Sequence, residues 1–350
     1  MKNREVKVTF QPSGRNVYVL PGTLLLEAAG RAGIILQTPC GGQGTCGKCR
    51  VRIISGDVTV RGGTQARPDA NPVAPEYHLA CQTLVDGPLV VDIPDTSRFE
   101  NRPQILVGDS GTKGELKPVV RKVFFHLEPP AGGHPVSDLS RLRAAVGPCA
   151  VSPEWLLRLP GFLRSHGWQG TAVLGANRLM SLEAGHTEDK VYGVAMDLGT
   201  TTVVGTLFDL GSGQERGVVS RLNGQIVFGD DVISRIQRIR HNGGALAELQ
   251  ETIVDTLNDI IATLAAKSGI AEEHIYEVAI AGNTTMQQIL CGIDPSALGE
   301  IPFAHAFDES QIWPAHRLNL RTNPAADLFV FPQIGGFIGG DTIAGMVAAR

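Results

Sequence analysis

The sequence predicts a multidomain chain of α+β and α/β units, and three observations carry that prediction. Three cysteines crowd into the glycine-rich stretch Thr38–Cys49, and a fourth, Cys81, returns among strand-like segments. The stretch Thr96–Leu116 is polar, with Pro103, Gly108, Gly111 and Gly114, and reads as a linker with one short apolar patch at Ile105-Leu106-Val107. Two glycine turns, each with an acidic residue, then bracket buried strands and amphipathic helices between Val191 and Arg350. A chain of 350 residues is long enough for two or three domains, each with its own core. The expected units are residues 1–95, the linker 96–116, a small α+β domain at 117–190 and a larger α/β unit at 191–350.

In the first unit, Val6–Phe10 and Asn16–Leu20 alternate apolar with polar residues around Pro12-Ser13-Gly14, which is a β-hairpin pattern. Gly22-Thr23 offers an N-cap for a helix over Leu24–Arg31, ended by Gly33. A strand at Arg50–Ile54 leads to a turn at Ser55-Gly56-Asp57, and residues 62–76 read as loop. Cys81 falls on or beside a strand, and Leu89–Ile93 is the last strand. Hairpin, helix, cysteine loop and returning strands make a small β-grasp domain.

The cysteines are spaced C-x5-C-x2-C at Cys40, Cys46 and Cys49, and Cys81 follows after thirty-one residues. Four thiolates supply the two sulfur ligands that each iron of a [2Fe–2S] cluster needs. The intervening glycines let the backbone take positive φ and close around an inorganic core, where amide N–H groups tune its potential. A structural zinc site would have two C-x2-C knuckles where this sequence has one. A disulfide framework belongs to small secreted domains. Gly42–Gly47 also spells G-x-G-x-x-G, and Gly42–Cys49 nearly spells a P-loop, but Cys49 stands where a magnesium-binding hydroxyl belongs and no amphipathic helix follows. The stretch resembles the vertebrate-type and bacterial [2Fe–2S] ferredoxins over residues 1–95.

In the second unit, Val119–Leu127 reads as a strand, Ser137 caps a helix that stops at Gly147, and Ser152-Pro153-Glu154 starts another. Cys149 lies between the two helices as a small hydrophobe. The third unit opens on a strand that ends at Asp197, a turn Gly199-Thr200-Thr201, and a second strand. Such a turn offers amides and hydroxyls to phosphate, and a carboxylate at the strand end can hold hydrated magnesium. An ordinary hairpin is the plain alternative. An aspartic-protease site would need Thr or Ser after the aspartate, where Leu198 stands. Asp230 begins a helix through Arg240, and Ala245–Lys267 is a long amphipathic helix whose stripe from Leu246 to Leu264 is core packing. The buried strand Ile275–Ala281 ends in Gly282-Asn283-Thr284, a junction whose free amides could face a ligand. Leu328–Phe331 leads to the second turn, Gly339-Gly340-Asp341, and a helix over Ile343–Arg350.

In this order the three motifs resemble the first phosphate, first connecting and second phosphate elements of the sugar kinase, heat-shock chaperone and actin superfamily. Together with the cysteine domain and the Phe228–Arg235 and Ala281–Met286 segments, they make the whole chain resemble the ATP-dependent reductive activators of corrinoid proteins. The resemblance implies a partial actin-like (ribonuclease H-like) lobe and a [2Fe–2S] cluster on Cys40, Cys46, Cys49 and Cys81. It further implies Mg-ATP, with Asp197 positioning the metal. Gly199, Thr200, Thr201, Gly282, Asn283, Thr284, Gly339, Gly340 and Asp341 would face the nucleotide. One electron would then return Co(II) to Co(I) in a corrinoid protein or corrinoid-dependent methyltransferase, fed by a low-potential donor. In this superfamily the adenosine segment follows the second phosphate turn, whereas the sequence stops at Arg350, so the first part of a longer protein and weak ATP binding are expected. The alternative function is a ferredoxin-like electron-transfer module whose nucleotide fold is a non-catalytic scaffold. A net charge of −4 argues against a general nucleic-acid binder. No apolar run approaches the roughly eighteen residues of a membrane span, and the free thiols without a leader imply a cytoplasmic protein.

Overall fold

A computed structural model describes residues 5–34, 36–38, 42, 44–61, 77–98, 116–130, 136–229 and 231–349. Cys40, Asp230, the 62–76 loop and most of the expected linker lie outside the described residues.

The alternating hairpin forms as expected. β1 (Val6–Gln11) pairs antiparallel with β2 (Arg15–Val19), because the period of two puts Val8 and Phe10 on the buried face. The remaining strands of the unit are β3 (Arg50–Ser55), β4 (Val58–Val60), β5 (His78–Leu79), β6 (Thr83–Val85) and β7 (Leu89–Asp92). The main sheet has the order β2-β1-β7-β3-β5, with β7 parallel to β1, and β4 pairs with β6 apart from it. Helix α1 (Leu25–Arg31) packs Leu25, Ala28 and Ala29 on the sheet, completing the β-grasp shape. It starts one residue later than expected, and Thr23 does not cap it. The Thr23 hydroxyl donates instead to Leu20 O at 2.7 Å, closing the preceding turn. The domain also runs past residue 95: a 3₁₀ turn at Asp95–Ser97 buries Ser97, and Gln37 bonds Ser97 O and Arg98 O. Residues 96–98 therefore belong to the first domain and not to a linker.

The second unit is a three-stranded antiparallel sheet, β8 (Val120–His126), β9 (Gln169–Gly175) and β10 (Arg178–Glu183), in the order β10-β9-β8. Helices α2 (Asp138–Val146) and α3 (Pro153–Ser165) cover it. Ser137 and Ser152 accept from the N3 amides as their positions promised. The β9–β10 hairpin is unanticipated; it turns on Ala176 and Asn177, both at positive φ.

The third unit is a six-stranded sheet in the order β13-β12-β11-β14-β16-β15. Its strands are β11 (Tyr192–Leu198), β12 (Thr202–Asp209), β13 (Glu215–Leu222), β14 (Ile275–Gly282), β15 (Gln311–Pro314) and β16 (Asp327–Val330). The β11–β13 meander is antiparallel, while β14 and β16 run parallel to β11. Helix α4 (Val232–His241) starts at Val232, since Asp231 is its cap in a reciprocal pair with Ser234. Helix α5 (Ala245–Ser268) lays Leu249, Ile253, Leu257, Ile260 and Leu264 into the core, as its period requires. Two shorter helices follow, α6 (Thr284–Leu290) and α7 (Gly340–Ala348), and α7 begins three residues before the expected Ile343 because Gly339 serves as its N-cap.

A buried polar knot joins the second and third units. Lys122 Nζ sits 2.8 Å from Glu183, to which the Tyr276 hydroxyl and the Thr187 hydroxyl also donate. Burial pulls the Lys122 pKa down. Burial works against the Glu183 carboxylate, but the bonds from Lys122, Thr187 and Tyr276 prevail and hold it below its ordinary value.

Candidate functional site

The first site is built where β3 leaves the cysteine loop and β5 returns beside it. Ala80 N donates to Cys49 O at 2.9 Å, which brings the two buried cysteines together: Cys49 Sγ and Cys81 Sγ lie 3.3 Å apart. Two sulfurs on one tetrahedral metal with bonds of about 2.3 Å sit about 3.8 Å apart, so the pair fits a shared ion with little movement. Gly42, Gly44 and Gly47 all adopt positive φ, between 65° and 83°, as a loop wrapped round a core demands. Gln82 pins that loop by donating to Gly42 O at 2.7 Å. Cys46 is half-buried in the same loop, but among the described residues no three metal-ligating side chains converge. Cys40 lies outside them. Cys81 lines a cleft of 540 Å³ shared with Val227–Gly229 of the third unit.

The second site lies at the ends of β11, β14 and β16. The hairpin turn Gly199–Thr201 follows Asp197, and Asn283 reaches it from the β14–α6 junction, donating to Thr200 Oγ1 at 3.0 Å. The second glycine turn sits directly on that junction. A Cβ on Gly339 would lie 2.5 Å from Asn283 Cα and 2.6 Å from both Gly282 O and Thr284 N. A Cβ on Gly340 would strike the Gln287 amide and Phe331 Cβ at 2.6 and 2.7 Å. Close approach is thus the reason for both glycines. Gln287 ties the junction to the far strand by donating to Phe331 O at 2.9 Å and accepting from Gly340 N at 3.3 Å. The structure brings all nine turn and junction positions together with Asp197. The side chain of Asp197 is exposed to solvent at the strand end, yet crowding by protein and the facing Asp341 carboxylate raise its pKa.

At the junction Asn283 caps Met286 N at 3.0 Å, the Thr284 hydroxyl donates to Gly335 O at 2.7 Å, and Gly339 packs on the backbone of Gly282, Asn283 and Thr284. The carbonyls of the first turn are held from beneath by Asn223 and Arg235. Asn223 Nδ2 donates to Gly199 O (2.9 Å), Arg235 Nη2 to Thr200 O (2.6 Å) and Asn223 N to Thr201 O (2.8 Å). A trans peptide points its C=O and the following N–H in opposite directions, so capturing the Gly199 and Thr200 carbonyls from behind turns the amides of Thr200 and Thr201 away from the core. The signal was present in Phe228–Arg235, but nothing in a sequence says that an Asn or Arg will be buried.

Comparison with known proteins agrees with this architecture. Residues 8–86 match the 2Fe-2S iron-sulfur cluster binding domain, residues 109–189 the RACo linker region and residues 192–350 the RACo middle region. The corrinoid activation enzyme RamQ of Eubacterium limosum is 28% identical over 348 residues, covering 97% of this chain and 55% of that protein. A solved reductive activator for corrinoid, iron-sulfur protein superposes with a TM-score of 0.64 at 33% identity, covering 99% of this chain and 58% of that one. The reductase subunit of an aromatic O-demethylase from an Amycolatopsis strain is 41% identical over 77 residues, 21% of this chain and 23% of its own.

The fold and sites define a multidomain mixed α/β protein with an N-terminal ferredoxin-type, cluster-binding domain. More particularly, the chain carries linker and middle regions of the RACo type, and it spans little more than half the length of the relatives that match it throughout. Among the described residues no helix is long and apolar enough to cross a membrane.

Proposed function

We propose that the chain carries the electron-donating and phosphate-holding machinery of an ATP-dependent reductive activator, which returns a partner's corrinoid cobalt from Co(II) to Co(I) by one electron. The observation that carries the reading is the presence in one chain of a buried thiol pair, Cys49 and Cys81, and two glycine turns locked face to face beside Asp197. The names borne by the relatives, a corrinoid activation enzyme and a reductive activator for corrinoid, iron-sulfur protein, supply a corrinoid as the substrate class, and the reading places it on a corrinoid protein or a corrinoid-dependent methyltransferase.

Cys40, Cys46, Cys49 and Cys81 would hold the [2Fe–2S] group, which supplies one-electron storage and transfer when bound. The third unit is read as an actin-like nucleotide lobe. The outward amides of Thr200 and Thr201 and the two hydroxyls would hold phosphate, with Gly339, Gly340 and Asp341 facing them. Asp197 would position hydrated magnesium. Its raised pKa supports that role, because a divalent cation there would offset the burial and the facing Asp341 charge that disfavour the ionised form of Asp197. Gly282, Asn283 and Thr284 act here by holding the two turns in register. A low-potential donor in the cytoplasm completes the scheme, and neither nucleic acid nor membrane takes part.

The test is anaerobic. The reconstituted chain, a corrinoid protein poised as Co(II) and a low-potential reductant are mixed with and without Mg-ATP, and Co(I) is followed by its absorbance. Co(I) that forms only with nucleotide is the expected result. Co(I) at equal rates in both would favour a plain electron-transfer module with the nucleotide fold as scaffold, and no Co(I) in either would refute the proposal.

A further inference from the structure

The underside of the first phosphate turn and the surface that carries the cysteine domain are held by one side chain. Arg235 is fully buried on α4, and its guanidinium spans three elements. Nη2 donates to Thr200 O at 2.6 Å, Nε to Gly229 O at 2.9 Å, and Nη1 to Gln225 Oε1 and Met286 Sδ, both at 2.8 Å. Gln225, also fully buried, passes on to Leu249 O of α5 at 2.8 Å. The Gly224–Phe228 3₁₀ turn is therefore gripped at both ends by groups that also grip Gly199–Thr201: Asn223 before it and Arg235 after it.

The outer side of the same 3₁₀ turn is where α1 rests. A Cβ on Gly30 would lie 2.6 Å from Val227 Cγ1, so helix and turn meet at the closest distance that a glycine permits. Beside that contact, Val227–Gly229 and Cys81 line the same cleft. A movement of Thr200 cannot leave Gly229 behind, because the planar fork that holds both carbonyls is fixed by packing on every side.

We propose that Arg235 is a positioning residue that couples the first phosphate turn to the seat of the cysteine domain, so that filling the turn shifts the contact of Val227 with Gly30 next to Cys81. This deepens the nucleotide reading and rests on it for the identity of the ligand. The mechanical link itself requires only the hydrogen bonds named above.

Two measurements on the full chain separate the link from the ligand. The first is amide hydrogen exchange without ligand in Arg235→Lys, which keeps the charge but loses the fork, and in Val227→Asp, which loosens the seat and leaves Arg235 in place. Coupling free energies are reciprocal, so exchange should rise at least about fivefold at Asn223, whose amide is bonded to Thr201 O, in the Val227 variant and at 25–31 in the Arg235 variant. A change confined to residues 224–230 in both would overturn the proposal. If Arg235→Lys does not fold, the Val227 variant alone decides, by the presence or absence of the rise at Asn223. The second measurement adds Mg-ATP to the wild-type chain and to Arg235→Lys. Protection at both 199–201 and 25–31 in the wild type, with only 199–201 protected in the variant, is expected. Retention of the 25–31 response in the variant would overturn the coupling. No protection at 199–201 in the wild type would instead refute the nucleotide reading, with the ligand-free comparison still deciding the link.

Discussion

Replacing Gly339 by alanine isolates the contact that holds the two glycine turns together. The backbone there is ordinary for any residue, φ −87° and ψ −175°, so the substitution carries no conformational strain. Its whole effect is steric. The new methyl would lie 2.5 to 2.6 Å from three backbone atoms of Gly282, Asn283 and Thr284, and backbone on a packed strand end yields far less readily than a side chain. Overpacking of a tight site costs about 1–3 kcal/mol, and three rigid neighbours place this one at the upper end. A loss of about 3 kcal/mol is a factor of about 150 in the folding equilibrium. Gly335, four residues earlier, has open space where its Cβ would be, and Gly335→Ala should stay within about 0.5 kcal/mol of wild type. Urea unfolding followed by circular dichroism reads the difference, and hydrogen exchange at Gly282–Thr284 locates it. Equal stability of the two alanine variants, with unchanged exchange at the junction, would refute the reasoning.

Three further outcomes follow from the same geometry. Cys46→Ser and Cys81→Ser should each abolish or badly weaken the visible absorbance of the iron–sulfur chromophore. Cys149→Ser and Cys291→Ser should retain it, since burial pushes the Cys291 thiol up to about 12 and keeps it protonated. Asp197→Asn should remove stabilisation by Mg-ATP in a thermal shift assay. Without ligand it should melt slightly higher than wild type at neutral pH, because a raised carboxyl pKa favours the native state below 3.8 and that preference is lost as pH rises through the native value. Lys122→Met should cost about 3–5 kcal/mol by leaving Glu183 buried without its cation. The depressed Glu183 pKa makes the wild-type contribution full above 4.5 and lost as pH falls through the native value, so the stability gap between wild type and variant should be full at neutral pH and shrink in acid.

Local pattern made most elements legible. The period of two in Val6–Phe10, the serine caps at Ser137 and Ser152, and the stripe Leu249–Leu264 each state a structure in residues that touch one another in sequence. Thr23 misled because a threonine before a helix and a threonine closing a turn look alike, and its hydroxyl found Leu20 O first. Strands β10, β13 and β15 are short or edge-placed and alternate weakly, so their pairing depends on partners elsewhere in the chain. Both glycine turns were legible as glycine turns. That Gly339 abuts Asn283 was not, because fifty-six positions of chain separate them and only the β14–β16 register brings them together.

The polar residues under the Gly199–Thr201 turn make the same point with more consequence for function. Asn223, Gln225 and Arg235 belong to types that are usually exposed, and a composition-based reading assigns them to solvent. All three are fully buried, which is tolerable only because carbonyls of Gly199, Thr200, Gly229 and Leu249 accept their hydrogen bonds. A leucine and methionine core could fill that volume with less risk from an unsatisfied group. It could not fix which way two successive peptide planes face, since apolar contacts have no direction, whereas a carbonyl held by a buried donor does. The turn needs its amides outward if it is to meet an anion at all. A polar core at this one place therefore suits the phosphate role proposed for the turn, and the same donors reach the seat of the cysteine domain.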